Sequence, residues 1–337
     1  MRLASPFPAW SFALLAHFSA ALVAAILLFT APALAQDFPV TIIHERGETI
    51  IPAKPGRIVS LGVHEQDFLY ALGIAPVGVH EWFDGYPYAT GPWAEAARVA
   101  VGAEPEVLLT WEINVEWVAS LRPDLIVVSY YGDLDDATYG LLRQIAPVVT
   151  APPGYPAWGA PWQDELRLLG KATGTSGKAE QIIADLEKKT AAVREAYPQF
   201  AGKTSATGYY DAGVVRTFNS ADTAHRFLQS LGFVIPAAYD EQAAERGHLD
   251  ISLENLDLIE LDTFIWPEGL QGLEQNSVYQ ATRLAREGRS VSLGGGTLSA
   301  ALSFQTPLAL GYLLDTLPPM IDATLDGDPA TNVAAPQ

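Results

Sequence analysis

Histidine is the first residue type in this sequence that could do chemistry, because imidazole ligates metals and transfers protons near neutral pH. Beyond residue 35 the chain contains His44, His64, His80, His225 and His248. No two of them are spaced as H-x-H or H-x-x-x-H, which would bring two imidazoles together within one element. A bare zinc or manganese site would need distant ligands, such as His64 and His80 with His248 and Asp250. Hydrogen bonding is therefore the expected role of each histidine, and metal ligation remains an alternative.

Motifs of covalent and nucleotide chemistry are absent or incomplete. The sequence has no cysteine and no G-x-S-x-G segment that would place a serine nucleophile on a strand-to-helix turn. Gly202-Lys203-Thr204 resembles the end of a phosphate-binding loop, but Tyr197 stands where that loop has its first glycine. We therefore expect a protein that is not an enzyme, and an exported hydrolase is the least favoured alternative.

Aromatic residues are concentrated in segments that follow short apolar runs, where strands are predicted to end. The aromatic residues that we assign to ligand contact on this ground are Trp82, Phe83, Tyr86, Trp111, Tyr130, Tyr131, Trp158, Phe218 and Trp266. His64, Arg216 and Arg226 are assigned as hydrogen-bond donors to the same ligand. Exposed aromatic side chains at the carboxyl ends of strands line concave, partly apolar ligand sites. The pattern predicts a ligand cleft.

The elements that must position these residues alternate between strands and helices. Apolar runs such as 57–61 and 124–129 predict short buried strands, and the stretches between them predict helices. Because these runs are continuously apolar, both faces of each sheet should be covered, as in parallel α/β folds. The strongest helix prediction covers 178–197, where Ile183 and Leu186 lie on one face and Pro198 ends the helix.

The whole pattern predicts two α/β lobes with parallel-type sheets, bridged by a single long α-helix. The predicted boundaries are a signal peptide at 1–35, an N-terminal lobe at 37–172, a bridging helix at 173–199, a C-terminal lobe at 200–325 and a disordered tail at 326–337.

The first 35 residues differ in composition from the rest of the chain. Arg2 is their only residue among Asp, Glu, Lys and Arg, and an apolar stretch precedes Ala33-Leu34-Ala35, after which a signal peptidase would cut. An uncleaved membrane anchor is the alternative, since the stretch approaches the length of a membrane span. We expect export to a periplasm, without a lipid anchor because there is no cysteine to carry it. The formal net charge of −19 excludes a nucleic-acid partner.

Several short motifs, in order, resemble a known family. They are Leu72-Gly73-Ile74-Ala75-Pro76-Val77-Gly78-Val79, Leu121-Arg122-Pro123-Asp124-Leu125-Ile126, Phe227-Leu228-x-Ser230-Leu231-Gly232-Phe233 and Leu302-Ser303-Phe304-Gln305-Thr306-Pro307-Leu308. Their order and spacing over 40–325 are similar to those of the periplasmic substrate-binding proteins of iron–siderophore and corrinoid ABC importers. Segments 86–90 and 154–157 favour the iron–siderophore branch.

The resemblance implies a monomer that captures a ferric siderophore and delivers it to an inner-membrane ABC permease dimer. The iron would arrive already chelated, so no cofactor or metal would be bound directly. It further implies that Glu116 and Glu254, near the starts of equivalent helices in the two lobes, pair with arginines of the two permease subunits. A protein of the same fold for haem, a corrinoid or a divalent metal is the alternative.

Few basic residues are available for an anionic ligand. Arg216, Arg226 and Arg246 are the candidates in the C-terminal half, and the net charge of −19 repels a trianion at low salt. The composition therefore favours a neutral or weakly charged ferric hydroxamate or mixed-ligand chelate over a tricatecholate, with aromatic side chains supplying most contacts.

Overall fold

Short, fully buried strands form the centre of the N-terminal lobe. The computed structural model describes residues 37–81, 85–129, 131, 134–156, 158–243, 246–331 and 333. The strands of the first sheet are β3 (Ile58–Ser60), β4 (Gly78–His80), β5 (Glu106–Leu108), β6 (Leu125–Val128) and β7 (Val148–Thr150). They are all parallel, in the order β5-β4-β3-β6-β7. An antiparallel hairpin, β1 (Val40–His44) and β2 (Gly47–Ile51), precedes them.

Helices cover this sheet, as its continuously apolar strands require. They are α1 (Glu65–Ala71), α2 (Glu95–Ala100), α3 (Val115–Ser120), α4 (Asp136–Leu142) and α5 (Trp162–Thr173). Each of α1, α3 and α4 begins after a strand has ended, so its first turn lies at the carboxyl edge of the sheet. Asn114 and Asp135 cap α3 and α4 with side-chain oxygens that accept backbone N–H groups, which accounts for where these helices begin.

The long helix α6 (Ser176–Ala196) joins the two lobes. At about 1.5 Å per residue, its 21 residues extend about 31 Å. Ala179 and Ile183, in its first half, pack in the core of the N-terminal lobe, while Leu186 and Val193 pack against the core of the C-terminal lobe. The helix is therefore anchored at both ends.

The C-terminal sheet is mixed instead of purely parallel. Its strands are β8 (Ser205–Asp211), β9 (Val214–Phe218), β10 (His248–Ser252), β11 (Thr263–Trp266) and β12 (Ser290–Ser292), in the order β10-β9-β8-β11-β12. β11 is parallel to β8 and β12, whereas β9 is antiparallel to both of its neighbours. The reason is the two-residue link Ala212-Gly213, where both φ angles are positive, as a tight hairpin requires.

The helices of this lobe are α7 (Thr223–Ser230), α8 (Ala237–Ala243), α9 (Ser277–Ala281), α10 (Arg283–Arg286), α11 (Gly296–Phe304) and α12 (Pro307–Thr324). The last helix continues through Pro318 and Pro319 to Thr324. Residues 326–331, assigned by the sequence to a disordered tail, include a turn in which Asp326 accepts a hydrogen bond from Thr331 at 2.6 Å.

The predicted fold class, two α/β lobes bridged by one long helix, is confirmed, with the correction that the second sheet is mixed. Within the described ranges, no helix is both long enough and apolar enough to cross a membrane.

Candidate functional site

A cavity of about 580 Å³ lies between the two lobes and against α6. The N-terminal lobe contributes His64, Phe68 and the start of α5, and the C-terminal lobe contributes the starts of α7 and α12. Its wall combines aromatic and aliphatic side chains with about as many polar ones, among them Glu165 and Arg226. The volume is typical of small-molecule sites.

A buried carboxylate organises the strand ends beside this cavity. Glu65, the first residue of α1, accepts hydrogen bonds from the backbone N–H groups of His64 and Ser129 and from Ser129 Oγ at 3.0 Å. His64 follows β3 and Ser129 follows β6, so the Glu65 side chain links the segments after two neighbouring strands. Gly62 leaves room for it, since a Cβ at that position would lie 1.9 Å from Glu65 Oε1.

A second buried carboxylate extends this network to α5. His64 Nε2 lies 3.1 and 3.2 Å from the two carboxylate oxygens of Glu165, and Ser129 Oγ, whose single proton serves one carboxylate at a time, lies between Glu165 and Glu65. Glu165 belongs to the first turn of α5, where the helix dipole stabilises a negative charge. The loops after β3 and β6 are thereby tied to α5.

The two lobes touch where residues 64–67 meet residues 304–306, a region that we call the lobe contact. His64 Nδ1 is 3.0 Å from the carbonyl oxygen of Phe304. Asp67 Oδ2 accepts from Thr306 Oγ1 at 2.8 Å and from Trp93 Nε1 at 2.6 Å. The Trp93 ring also packs on Phe304, with 5.8 Å between centroids. His64 and Phe304 are common to this contact and to the cavity wall, so the cavity is bounded by the contact itself.

The pKa values of two residues in the lobe contact are shifted. Burial alone would lower the pKa of His64, but the charge and hydrogen bond of Glu165 and the charge of Glu65 raise it above its ordinary value. Burial raises the pKa of Asp67 to about 6, against the opposing hydrogen bonds of Trp93 and Thr306 and the charge of His64. Both groups therefore bind a proton more tightly in the folded protein than in the unfolded chain.

Asp67→Asn should flatten the pH dependence of stability between about pH 4 and 6. In the wild type, the free energy of unfolding falls as the pH rises from 3.8 to about 6, because the Asp67 carboxyl keeps its proton in the folded state over that range and loses it in the unfolded chain. A shift of about two pKa units corresponds to about 3 kcal/mol. Asparagine retains an oxygen for Trp93 and Thr306 but does not titrate.

Urea unfolding at a series of pH values measures this effect, with Asp257→Asn, at an exposed position, as the control. A profile for Asp67→Asn as steep as that of the wild type would contradict the assignment.

Trp111 and Tyr131 form an aromatic stack at the carboxyl edge of the first sheet. Their rings are 5.6 Å apart and nearly parallel, and Tyr131 Oη donates to the Trp111 carbonyl at 2.7 Å. The buried His80 contacts both rings, and its ring nitrogens Nδ1 and Nε2 lie 3.0 and 2.9 Å from the carbonyl oxygens of Leu61 and Thr110. Trp111 is 49% exposed, so the stack presents an aromatic surface at the strand ends, although neither ring is part of the cavity wall.

Arg226 connects the lobes at a second place. Its guanidinium donates to the carbonyl oxygens of Gly159 and Ala160 at 2.8 and 3.2 Å. These carbonyls belong to the proline-rich loop that carries Trp158, whose side chain is exposed. Arg226 also lines the cavity, so the same side chain faces the cavity and binds a segment of the other lobe.

Two assigned residues do not lie where the sequence placed them. Trp266 is fully buried, because Phe264 and Tyr279 pack against it and its indole N–H donates to Ser290 Oγ at 3.2 Å. It is a core residue and cannot contact a ligand in the cleft. Phe218 ends β9, but β9 runs antiparallel to β8, so Phe218 lies beside the middle of the sheet instead of at the edge where β8 ends.

The remaining assigned residues have mixed positions. Tyr86 is half-buried, with its ring edge-on to Trp93 at 6.3 Å. Arg216 forms a two-pronged ion pair with Asp250 on the neighbouring strand, at 2.5 and 2.9 Å. The assigned residues Trp82, Phe83 and Tyr130 lie outside the described residues.

Several cavity residues were not identified from the sequence. Glu165 was missed because an acid in the first turn of a helix is usually exposed. Arg194 and Glu187 were missed because α6 was interpreted only as a bridge, although both residues line the cavity. Phe304 lies in a segment whose motif was noticed, but no local signal places it opposite His64.

Glu116 and Glu254 are both exposed at the beginnings of helical segments. Glu116 lies in the first turn of α3, and Glu254 lies in the first turn of the 3-10 segment Leu253–Ile259 that follows β10. Both segments start after a strand, one in each lobe.

The described parts of the chain contain no group of three or more His, Asp or Glu side chains placed to hold a metal ion. His64 and His80 have both ring nitrogens within hydrogen-bond distance of protein oxygens.

Two α/β lobes joined by one long helix, with a ligand-sized cavity between them, define a bilobed substrate-binding protein. The chain belongs to the periplasmic binding protein family, whose sequence profile matches residues 58–295. This confirms the resemblance inferred from the motifs. Members of the family bind substrates and are not enzymes, and the same holds for this chain.

Named relatives and a solved structure support this placement. The probable siderophore-binding lipoprotein YfiY of Bacillus subtilis is 31% identical over 186 residues, which are 55% of this chain and 54% of YfiY. The ferric enterobactin-binding periplasmic protein FepB of Escherichia coli is 30% identical over 225 residues, 64% of this chain and 69% of FepB. The alignment thus spans about half the length of YfiY.

A crystal structure of a periplasmic solute-binding protein from Mycobacterium smegmatis superposes with a TM-score of 0.73 at 30% identity. The superposition covers 85% of this chain and 98% of that one, so the similarity includes both lobes.

Proposed function

We propose that this protein captures a ferric siderophore between its lobes and delivers it to an inner-membrane ABC importer. The observation that carries the proposal is a cavity of about 580 Å³, bounded by both lobes, in a chain of the periplasmic binding protein family. The names of two relatives, a probable siderophore-binding lipoprotein and a ferric enterobactin-binding protein, support the ligand class. Iron enters as part of the chelate, so the protein supplies no metal ligand.

Aromatic surfaces and guanidinium groups are the proposed contacts. The rings of Trp111 and Trp158 are exposed, Tyr131 is half-buried beside Trp111, and Arg226 lies in the cavity wall. Apolar contact with rings suits a bulky chelate whose outer surface is largely carbon. The net charge of −19 favours a neutral or weakly charged hydroxamate over a trianionic catecholate.

Tryptophan emission tests the proposal directly. The purified protein is titrated with a ferric hydroxamate, a ferric tricatecholate, haem and cobalamin, and with the iron-free hydroxamate as control. We expect saturable quenching with the ferric hydroxamate at the lowest concentration. Saturable binding of haem or cobalamin, with none of any ferric siderophore, would contradict the proposal.

Trp111→Ala should weaken binding of the ferric siderophore five- to tenfold, because a ring stacked against the ligand contributes about 1 kcal/mol or more. The control is Leu109→Ala, which removes a more exposed side chain, 74% accessible, from the same loop. Dissociation constants from the titration provide the measurement. Equal affinities of the Trp111→Ala and Leu109→Ala variants for the ferric siderophore would show that the Trp111 stack does not contact the ligand.

Glu116 and Glu254 are proposed to dock the protein on the two permease subunits. Each is an exposed acid at the start of a helical segment, one in each lobe. Such positions are stabilised by the helix dipole whatever their function, so only a transport measurement separates docking from local stabilisation.

Residues 1–35 are proposed to be a cleaved export signal, which would release a monomer into the periplasm. The Ala33-Leu34-Ala35 pattern supports the cleavage position, and none of the 337 residues is a cysteine that could carry a lipid. Amino-terminal sequencing of the exported protein should give Gln36 as its first residue.

A further inference from the structure

The two ring nitrogens of His64 both face hydrogen-bond acceptors. Nδ1 lies 3.0 Å from the Phe304 carbonyl oxygen, in the C-terminal lobe, and Nε2 lies 3.1 Å from Glu165 Oε1, in the N-terminal lobe. A neutral imidazole has a single N–H, so it could donate to only one of these oxygens and would direct a lone pair at the other. Only the imidazolium donates to both.

We propose that His64 is an imidazolium in the folded protein and that its proton holds the lobes together, so that the lobe contact loosens when His64 deprotonates. The inference stands on the contacts of His64 alone and does not depend on the ligand being a siderophore. It assigns the histidine a role as a proton-dependent link between lobes, in addition to its place in the cavity wall.

The charged surroundings of His64 support this assignment. Glu65 and Asp67 come from its own segment, and Glu165 comes from α5. Across the cavity are Glu187 and Arg194 of α6 and Arg226 of α7. The carboxylate of Glu165 is in direct contact, and Arg226 is directed to the carbonyl groups of Gly159 and Ala160. The raised pKa of His64, caused by Glu165 and Glu65 against the effect of burial, agrees with the geometry.

His225 provides a contrast within the same protein. It is also fully buried, but its Nδ1 faces the Asn219 carbonyl at 2.9 Å while its Nε2 accepts the Thr207 backbone N–H at 2.9 Å. One acceptor and one donor are satisfied by the neutral tautomer protonated at Nδ1. Burial lowers the pKa of His225, in keeping with that tautomer.

Nitrogen-15 spectra of the imidazole rings of the full-length protein test the proposal between pH 6 and 9. At pH 7, both His64 nitrogens should have the chemical shifts of protonated nitrogen, whereas His225 should have one protonated and one unprotonated nitrogen. His64→Gln identifies the signals. As the pH rises through the His64 midpoint, hydrogen exchange of the amides in 304–310 should accelerate beyond its ordinary increase with pH.

Glu165→Gln should lower the pH midpoint of the His64 titration by about one unit or more. The accelerated hydrogen exchange in 304–310 should then begin at a correspondingly lower pH. Glu187→Gln, which neutralises an exposed acid in the same cavity, is the matched control and should leave the midpoint nearly unchanged. A neutral His64 at pH 7 in the wild type would overturn the proposal. Exchange in 304–310 that is independent of the His64 midpoint would overturn the link between its proton and the lobes.

Discussion

Gly62→Ala is expected to lower the free energy of unfolding by about 4 kcal/mol, a large effect for the addition of a single methyl group. The added Cβ would lie 1.9 Å from Glu65 Oε1 and 2.2 Å from Oε2, so the carboxylate must leave its place. Its displacement would also leave the buried N–H groups of His64 and Ser129 without their acceptor. Denaturant unfolding at pH 7 measures the loss.

Gly140→Ala is the matched control for this substitution. Gly140 lies within α4, has a helical φ and has no atom within 4 Å of the position of a Cβ. Alanine there should stabilise the protein by about 0.5–1 kcal/mol through helix propensity. If the two variants differed by less than about 1 kcal/mol, the described position of Glu65 over Gly62 would be wrong.

Charge reversal at both proposed docking residues, Glu116→Arg with Glu254→Arg, is expected to abolish uptake while leaving ligand affinity within about twofold. Exposed charges away from the cavity act mainly on association with a partner, so the loss should be confined to transport. Uptake of iron-55 siderophore in cells that depend on this protein measures the first effect, and tryptophan quenching measures the second.

Glu104→Arg with Glu241→Arg changes the net charge equally and serves as the control. Glu104 precedes β5 at the opposite edge of the first sheet, and Glu241 is exposed on α8. Uptake should be close to that of the wild type in this variant. Transport that survives reversal of Glu116 and Glu254, or ligand binding that fails with it, would contradict docking through these residues.

Much of the fold could be predicted because it follows from local patterns. Continuous apolar runs predicted β3 and β6, and the face of α6 that carries Ile183 and Leu186 predicted a long helix. The antiparallel direction of β9 was missed, because Val214–Phe218 has the sequence pattern of any other short strand. Its direction depends on the two-residue link Ala212-Gly213, whose positive φ angles no apolar pattern indicates.

Only those parts of the site that directly follow a strand in the sequence could be predicted. Trp111 and Tyr131 follow strands and lie at the strand ends, as expected. Trp266 was assigned on the same ground, but it is itself the last residue of β11, and Phe264 of that strand and Tyr279 of α9 pack against it in the core.

The buried acids Glu65, Asp67 and Glu165 were not assigned to the site for a similar reason. Each is buried because its partners come from elsewhere in the chain: Ser129 is 64 residues from Glu65, Thr306 is 239 residues from Asp67, and His64 is 101 residues from Glu165. Charged residues are ordinarily exposed unless paired, so a sequence alone favours the wrong location for them.

The aromatic stack of Trp111 and Tyr131 is carried by loops, whereas the lobe contact is made by residues at the ends of helices. Loops accept substitutions that helix ends in a packed interface do not. If the stack contacts the ligand as proposed, substitutions in these loops would change which chelate is bound while the lobe contact stays intact. It follows that overall identity between two proteins of this family indicates their common ancestry and the class of their cargo more than the particular chelate that each carries.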